Sequence, residues 1–71
     1  MTMSFTVKRS DESGLWSQGP FSTVNEAQTV VSEIIKTRKE LGEKYTKATP
    51  SHGERVAYVS NRGGRIVIKE I

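Results

Sequence analysis

The run from Ser22 to Gly42 constrains this chain more than any other, because it alone keeps a long helical period. Val24, Ala27, Val31, Ile34, Arg38 and Leu41 recur at alternating spacings of three and four, and Val30 and Ile35 widen the stripe. A helix with such a face needs a core to lay it on. Asn25, Gln28, Thr29, Ser32, Glu33, Lys36 and Lys39 form the soluble face. Thr23 with Glu26 fits a capping box, which satisfies backbone N–H groups left without a partner in the first turn. Gly42 after Leu41 fits a helix end, since glycine takes the left-handed conformation at little cost. Acidic residues sit early and Lys36, Arg38 and Lys39 late, which suits the helix dipole. The β-branched content lowers intrinsic propensity, so packing must hold this helix.

The flanking segments have the other period. Phe5 to Arg9 alternates, with Phe5 and Val7 turned inward. Ser10–Gly14 reads as a turn, and Leu15–Gln18 as a short returning strand that Gly19-Pro20 stops, because proline cannot donate to a ladder. Beyond the helix, residues 43–53 have no period and contain Pro, Gly, Ser and Thr, so they read as a mobile loop. Glu54–Ser60 and Arg65–Ile71 read as strands joined by a tight turn at Asn61–Gly64, with Val56, Tyr58, Ile66 and Ile68 facing inward. The expected fold is α+β. It is a small two-layer ββαββ domain over residues 1–71, an antiparallel sheet with one amphipathic helix (about 22–42) on one face. The other sheet face, with Thr6, Lys8, Arg55, Ala57, Val59, Arg65, Val67 and Lys69, is expected to be bare.

Size sets the stability problem. A chain of 71 residues buries only roughly 60% of its unfolded surface, and with no cysteine no disulfide can staple it. Absence of cysteine fits a reducing compartment. Met1–Phe5 lacks the basic and apolar regions of a signal peptide, and no apolar run approaches a membrane span of about 20 residues. Cytoplasmic residence is the expectation.

Catalytic chemistry finds little material. With one His and no Cys, a four-ligand metal site has too few donors, and no cofactor is expected. Ser51-His52 is a Ser/His neighbour pair in a glycine–proline loop without an orienting third group. Gly63-Gly64 lacks the Lys-Ser/Thr of a phosphate loop and precedes a strand. The chain is read as non-enzymatic, with no small-molecule substrate and no membrane partner.

Two binding surfaces remain. Formal net charge is +3, from eleven basic and eight acidic side chains, a mild excess that permits acidic partners. Lys44, Lys47, Arg55, Arg62, Arg65 and Lys69 are the candidates for nucleic-acid contact, from a basic hairpin tip, the loop and the sheet face. Basic groups at such places also aid solubility and block edge pairing. Trp16, Tyr45, Val59 and Val67 are the candidates for a protein partner or for self-association, Trp16 because tryptophan is enriched at interaction hot spots.

The layout is similar to several small sheet-plus-helix families of unknown function. Phe21 to Ala27, an aromatic leading into a helix with an early Glu-Ala, resembles the arm-binding domains of phage integrases, whose helix follows a small sheet. That stretch is too short to carry a function across, and the hairpin after the helix departs from the pattern. The favoured reading is a small protein–protein interaction module of accessory, adaptor or inhibitor type, phage-related proteins among the possibilities. The alternative is a nucleic-acid-binding module.

Overall fold

A computed structural model describes residues 4–12 and 14–71. Its elements run β1 (Phe5–Asp11), β2 (Gly14–Phe21), α1 (Val24–Glu40), β3 (Tyr45–Ala48), β4 (Glu54–Ser60) and β5 (Arg65–Glu70). All five strands form one sheet in the order β2-β1-β5-β4-β3, and every neighbouring pair is antiparallel. The small α+β architecture is the expected one, with one strand more. Ser13, one of the expected turn residues, lies outside the described residues, as do Met1–Met3.

Both ends of α1 are set by local chemistry. Thr23 is extended, and its Oγ1 accepts the Glu26 N–H at 3.2 Å. At the other end the Gly42 N–H donates to the Lys39 carbonyl at 3.0 Å and the Glu43 N–H to the Arg38 carbonyl at 2.9 Å. That pair of bonds is a Schellman motif. It needs Gly42 at φ +88°, where a Cβ would be strained. The motif fixes Glu43 at the start of the next segment.

The core lies between α1 and the middle of the sheet. Phe5, Val7, Ala27, Val31, Ile66 and Ile68 are buried together. Val24, Val30, Ile34, Ile35, Phe21, Val56 and Tyr58 pack around them. Each aliphatic side chain buried in this way contributes about 1.5–3 kcal/mol, which is what holds a helix of modest propensity. The predicted stripe is thus the packed one, except at its last apolar position: Leu41 is the C-cap and is exposed.

Four local expectations are corrected. Residues 43–53 do not form one loop, because Tyr45–Ala48 pairs with β4, Tyr45 opposite Ser60 and Ala48 opposite Ala57. A four-residue strand leaves too short a period to read in sequence. Strand β2 does not stop at Gly19. It runs through the cis Gly19–Pro20 bond to Phe21, with the β1–β2 register shifting between Phe5 and Val7. Proline is tolerated there because β2 is the outermost strand and owes no N–H to a further neighbour.

The far sheet face is not bare at its centre. Ala57 and Val67, paired across β4 and β5, are buried. Arg65 reaches along this face to Glu54, Nη2 to Oε1 at 2.9 Å, and toward the Ser51 hydroxyl at 3.4 Å. The guanidinium stays paired on that face. Arg55 leaves that face altogether. The register shifts between Glu54 and Val56, and the Arg55 guanidinium lies 5.9 Å from the Phe5 ring centre and 3.2 Å from Glu70.

Candidate functional site

Two hollows adjoin between α1, the β1–β2 hairpin and the β4–β5 turn. The first, about 350 Å³, is lined by Trp16, Ile34, Thr37, Glu33, Arg9 and Arg38, and its lining is mostly apolar. The second, about 210 Å³, is lined by Arg9, Asp11, Glu12, Arg38, Glu43 and Arg62 and is mostly polar. Arg9 and Arg38 belong to both. Trp16, on β2 opposite Arg9 of β1, is only partly covered, 41% exposed.

The floor of the polar hollow is a buried ion network that sequence gives little sign of. Glu43 is 4% exposed. Its Oε2 accepts the Ser60 hydroxyl at 2.7 Å, and its Oε1 lies 3.5 Å from Arg9 and 3.8 Å from Arg38. Arg9 also pairs with Asp11 at 2.6 Å and donates from Nε to the Tyr45 hydroxyl at 3.2 Å. Ser60 Oγ in turn accepts the Gly64 N–H at 2.8 Å and the Arg62 N–H at 3.2 Å. One serine therefore ties the β4–β5 turn to the carboxylate. The Ser60 hydrogen bond, with Arg9, Tyr45 and Arg38 behind it, holds the Glu43 carboxyl below the usual carboxylate range against the opposing effect of burial.

Gly64 belongs to this network by its lack of a side chain. A Cβ there would stand 2.6 Å from the Tyr45 hydroxyl and 2.9 Å from both Glu43 Oε2 and Ser60 Oγ. The Gly63-Gly64 pair makes a turn, as expected, but its second glycine also opens room for three polar atoms. Had any signal in the sequence shown the network, it was this glycine opposite a tyrosine and a serine. No spacing marks Glu43 apart from the chain's other glutamates.

The basic candidates do not come together. Arg65 pairs with Glu54 and Arg55 with Glu70. The Ser51 backbone N–H and then Arg65 hold the Glu54 carboxyl below its ordinary range. Lys44 precedes β3 and Lys47 lies within it, both exposed, while Lys69 lies on the far face opposite Thr6 and Glu54. Arg62 is on the β4–β5 turn by the polar hollow. Of the partner candidates, Tyr45 is half-buried with its hydroxyl engaged, Val67 is buried and Val59 is 36% exposed on the far face. Trp16 alone of these lines an apolar hollow. Leu15, beside it on the opposite face of β2, is 72% exposed and was not among the candidates.

Among the described residues no group of three or more His, Cys, Asp or Glu side chains is placed to hold a metal ion, and none of their helices is long and apolar enough to cross a membrane. No protein-family model, curated protein or solved structure matches this chain.

Proposed function

We propose that this chain is a small non-enzymatic binding module, of accessory, adaptor or inhibitor type, whose partner is a protein met at the outer hairpin. One observation carries the reading. Trp16 stands 41% exposed at the lip of an apolar hollow that Ile34 and Thr37 line from the helix. A rigid aromatic beside a concave apolar surface is the arrangement that anchors protein interfaces. The basic residues support nucleic-acid binding less well, because Arg55 and Arg65 are already paired with carboxylates and the lysines are spread over separate parts of the sheet. Cytoplasmic residence belongs to the same proposal, supported by the cysteine-free composition.

The test is affinity capture with the wild type, Trp16→Ala and the double variant Lys44→Ala/Lys47→Ala as parallel baits. The reading expects bound protein that is lost with Trp16→Ala and kept with the lysine variant. The opposite pattern, with bound nucleic acid released steeply by added salt, overturns it in favour of phosphate contact.

A further inference from the structure

The occupant of the outer hairpin follows from the character of β2 as an edge. β2 is the outermost strand of the sheet, and every residue from Gly14 to Pro20 is exposed. An outermost strand offers unpaired backbone N–H and C=O groups to any strand that approaches, and proteins usually blunt it with charge, proline or a bulge. The segment Gly14–Phe21 (GLWSQGPF) carries no charged side chain, in a chain where 27% of residues are charged. Its proline and its register shift both lie at the far end, beyond Gln18. The stretch Gly14–Gln18 is left unblunted.

Three features of that stretch suit a copy of itself. In antiparallel pairing about a two-fold axis a strand meets its own sequence reversed, so a charge near the axis would meet its like at close range. A stretch without charge has no such penalty. With the axis at Trp16, the indole meets its symmetry mate on the helix side, and Leu15 meets Ser17 of the second copy on the other side. The two large apolar side chains exposed at this edge, Leu15 and Trp16, are then both covered, one on each face. The rim of the hollow adds Glu33 and Arg38, one charge of each sign on the helix that overlooks β2. Those two helix charges cancel, so the rim sets no net like charge against its own copy.

We infer that β2 is a strand-addition edge occupied by a second copy of this chain, the two sheets joining antiparallel at Trp16 into one continuous sheet with both helices on the same face. The inference rests on the reading of Trp16 as a protein-binding anchor and names the protein it binds. The paired stretch is short, so the contact belongs with small, transient interfaces.

Sedimentation velocity from roughly 5 to 500 μM tests it. The wild type is expected to shift from monomer to dimer over that range. Trp16→Lys and Trp16→Glu each place like charges opposite one another and are expected to stay monomeric, with thermal melts close to wild type. An equimolar mixture of the two is expected to regain a dimer, which damage to the fold cannot produce. If Trp16→Lys melts early, Ser17→Lys, which sets a lysine against Leu15 of the second copy on the other face of the same strand, is expected to weaken the dimer in its place. A wild type monomeric throughout, a dimer untouched by Trp16→Lys, or a mixture that stays monomeric overturns the second copy as occupant. A monomeric wild type whose captured protein is still lost with Trp16→Ala overturns the second copy while the anchor reading stands.

Discussion

The two edges of the sheet are built on opposite plans. β2 is eight residues long, uncharged and exposed almost throughout. β3 is four residues long, carries Lys47, follows Lys44 and runs directly into Thr49-Pro50. Behind β3 lies the most constrained chemistry of the molecule, the buried Glu43 with Ser60, Tyr45, Arg9 and Arg38. Behind β2 lies a hollow with a half-covered tryptophan. Short length and lysine are ordinary means of closing an edge, and β3 has both. The comparison teaches that the ion network ties β3, β4 and β1 together and stops at Arg9, so that β2 beyond it is left available.

The largest effect that would break this contrast concerns the tied side. Glu43→Ala leaves Arg9 buried without one of its carboxylates and the Ser60 hydroxyl without its acceptor. Arg9 keeps Asp11 as a partner, so the loss is that of unsatisfied buried polar groups, about 2–3 kcal/mol, and chemical denaturation should show it. A loss as large from Trp16→Ala would mean that both edges are structural. Next comes Gly64→Ala. Its new methyl must displace the Tyr45 hydroxyl, and overpacking of this kind costs about 1–3 kcal/mol. An unchanged melting temperature would show that the space beside Gly64 can yield.

Acid gives a third, graded test. The carboxyls of Glu43 and Glu54 are both held below their ordinary range, chiefly by Ser60 in one case and by the Ser51 N–H in the other. A depressed folded-state pKa contributes stability that is complete above the unfolded value, about 4.3 for a glutamate, and is lost as pH falls through the folded value. The melting temperature should therefore be insensitive to these groups from neutral pH down to about pH 5 and drop below it. In Glu43→Gln the drop should be smaller. The smallest effect on stability is expected at the open edge. Trp16→Ala should shift unfolding by no more than about 1 kcal/mol, although the same change is expected to abolish capture of a partner.

Sequence showed more of the frame than of the site, and particular residues explain why. The helix was legible at both ends, because a Thr-x-x-Glu start and a Leu-Gly stop are local chemistry and stay local after folding. The hairpins were legible wherever alternation lasted long enough, as from Phe5 to Arg9 and from Arg65 to Ile71. β3 was not, since Tyr45–Ala48 becomes a strand by pairing with β4 and not by its own pattern. The position of Arg55 was lost to a register shift that no residue announces. Glu43 was hidden for another reason: its burial follows from the Schellman turn that places it and from atoms contributed by β1, β3, β4 and the β4–β5 turn. Trp16 was picked out by residue type alone, and Leu15, at 72% the more exposed of the two, was not among the candidates because leucine carries no comparable type signal.

The strand order has a consequence for how the chain is made. β5 is the last strand in sequence, yet it sits in the middle of the sheet between β1 and β4. Until it emerges, the β1–β2 and β3–β4 hairpins are two separate pieces, and each presents an inner edge as well as an outer one. The sheet cannot be seeded at one side and extended to the other during synthesis. It closes in a single late step that needs Arg65–Glu70 and inserts Ile66 and Ile68, two of the largest fully buried side chains, into a core that lacks its centre without them. The β1–β5 pairing that joins the two halves is long-range in sequence, so a chain cut before Arg65 should remain unfolded rather than form a smaller version of the domain.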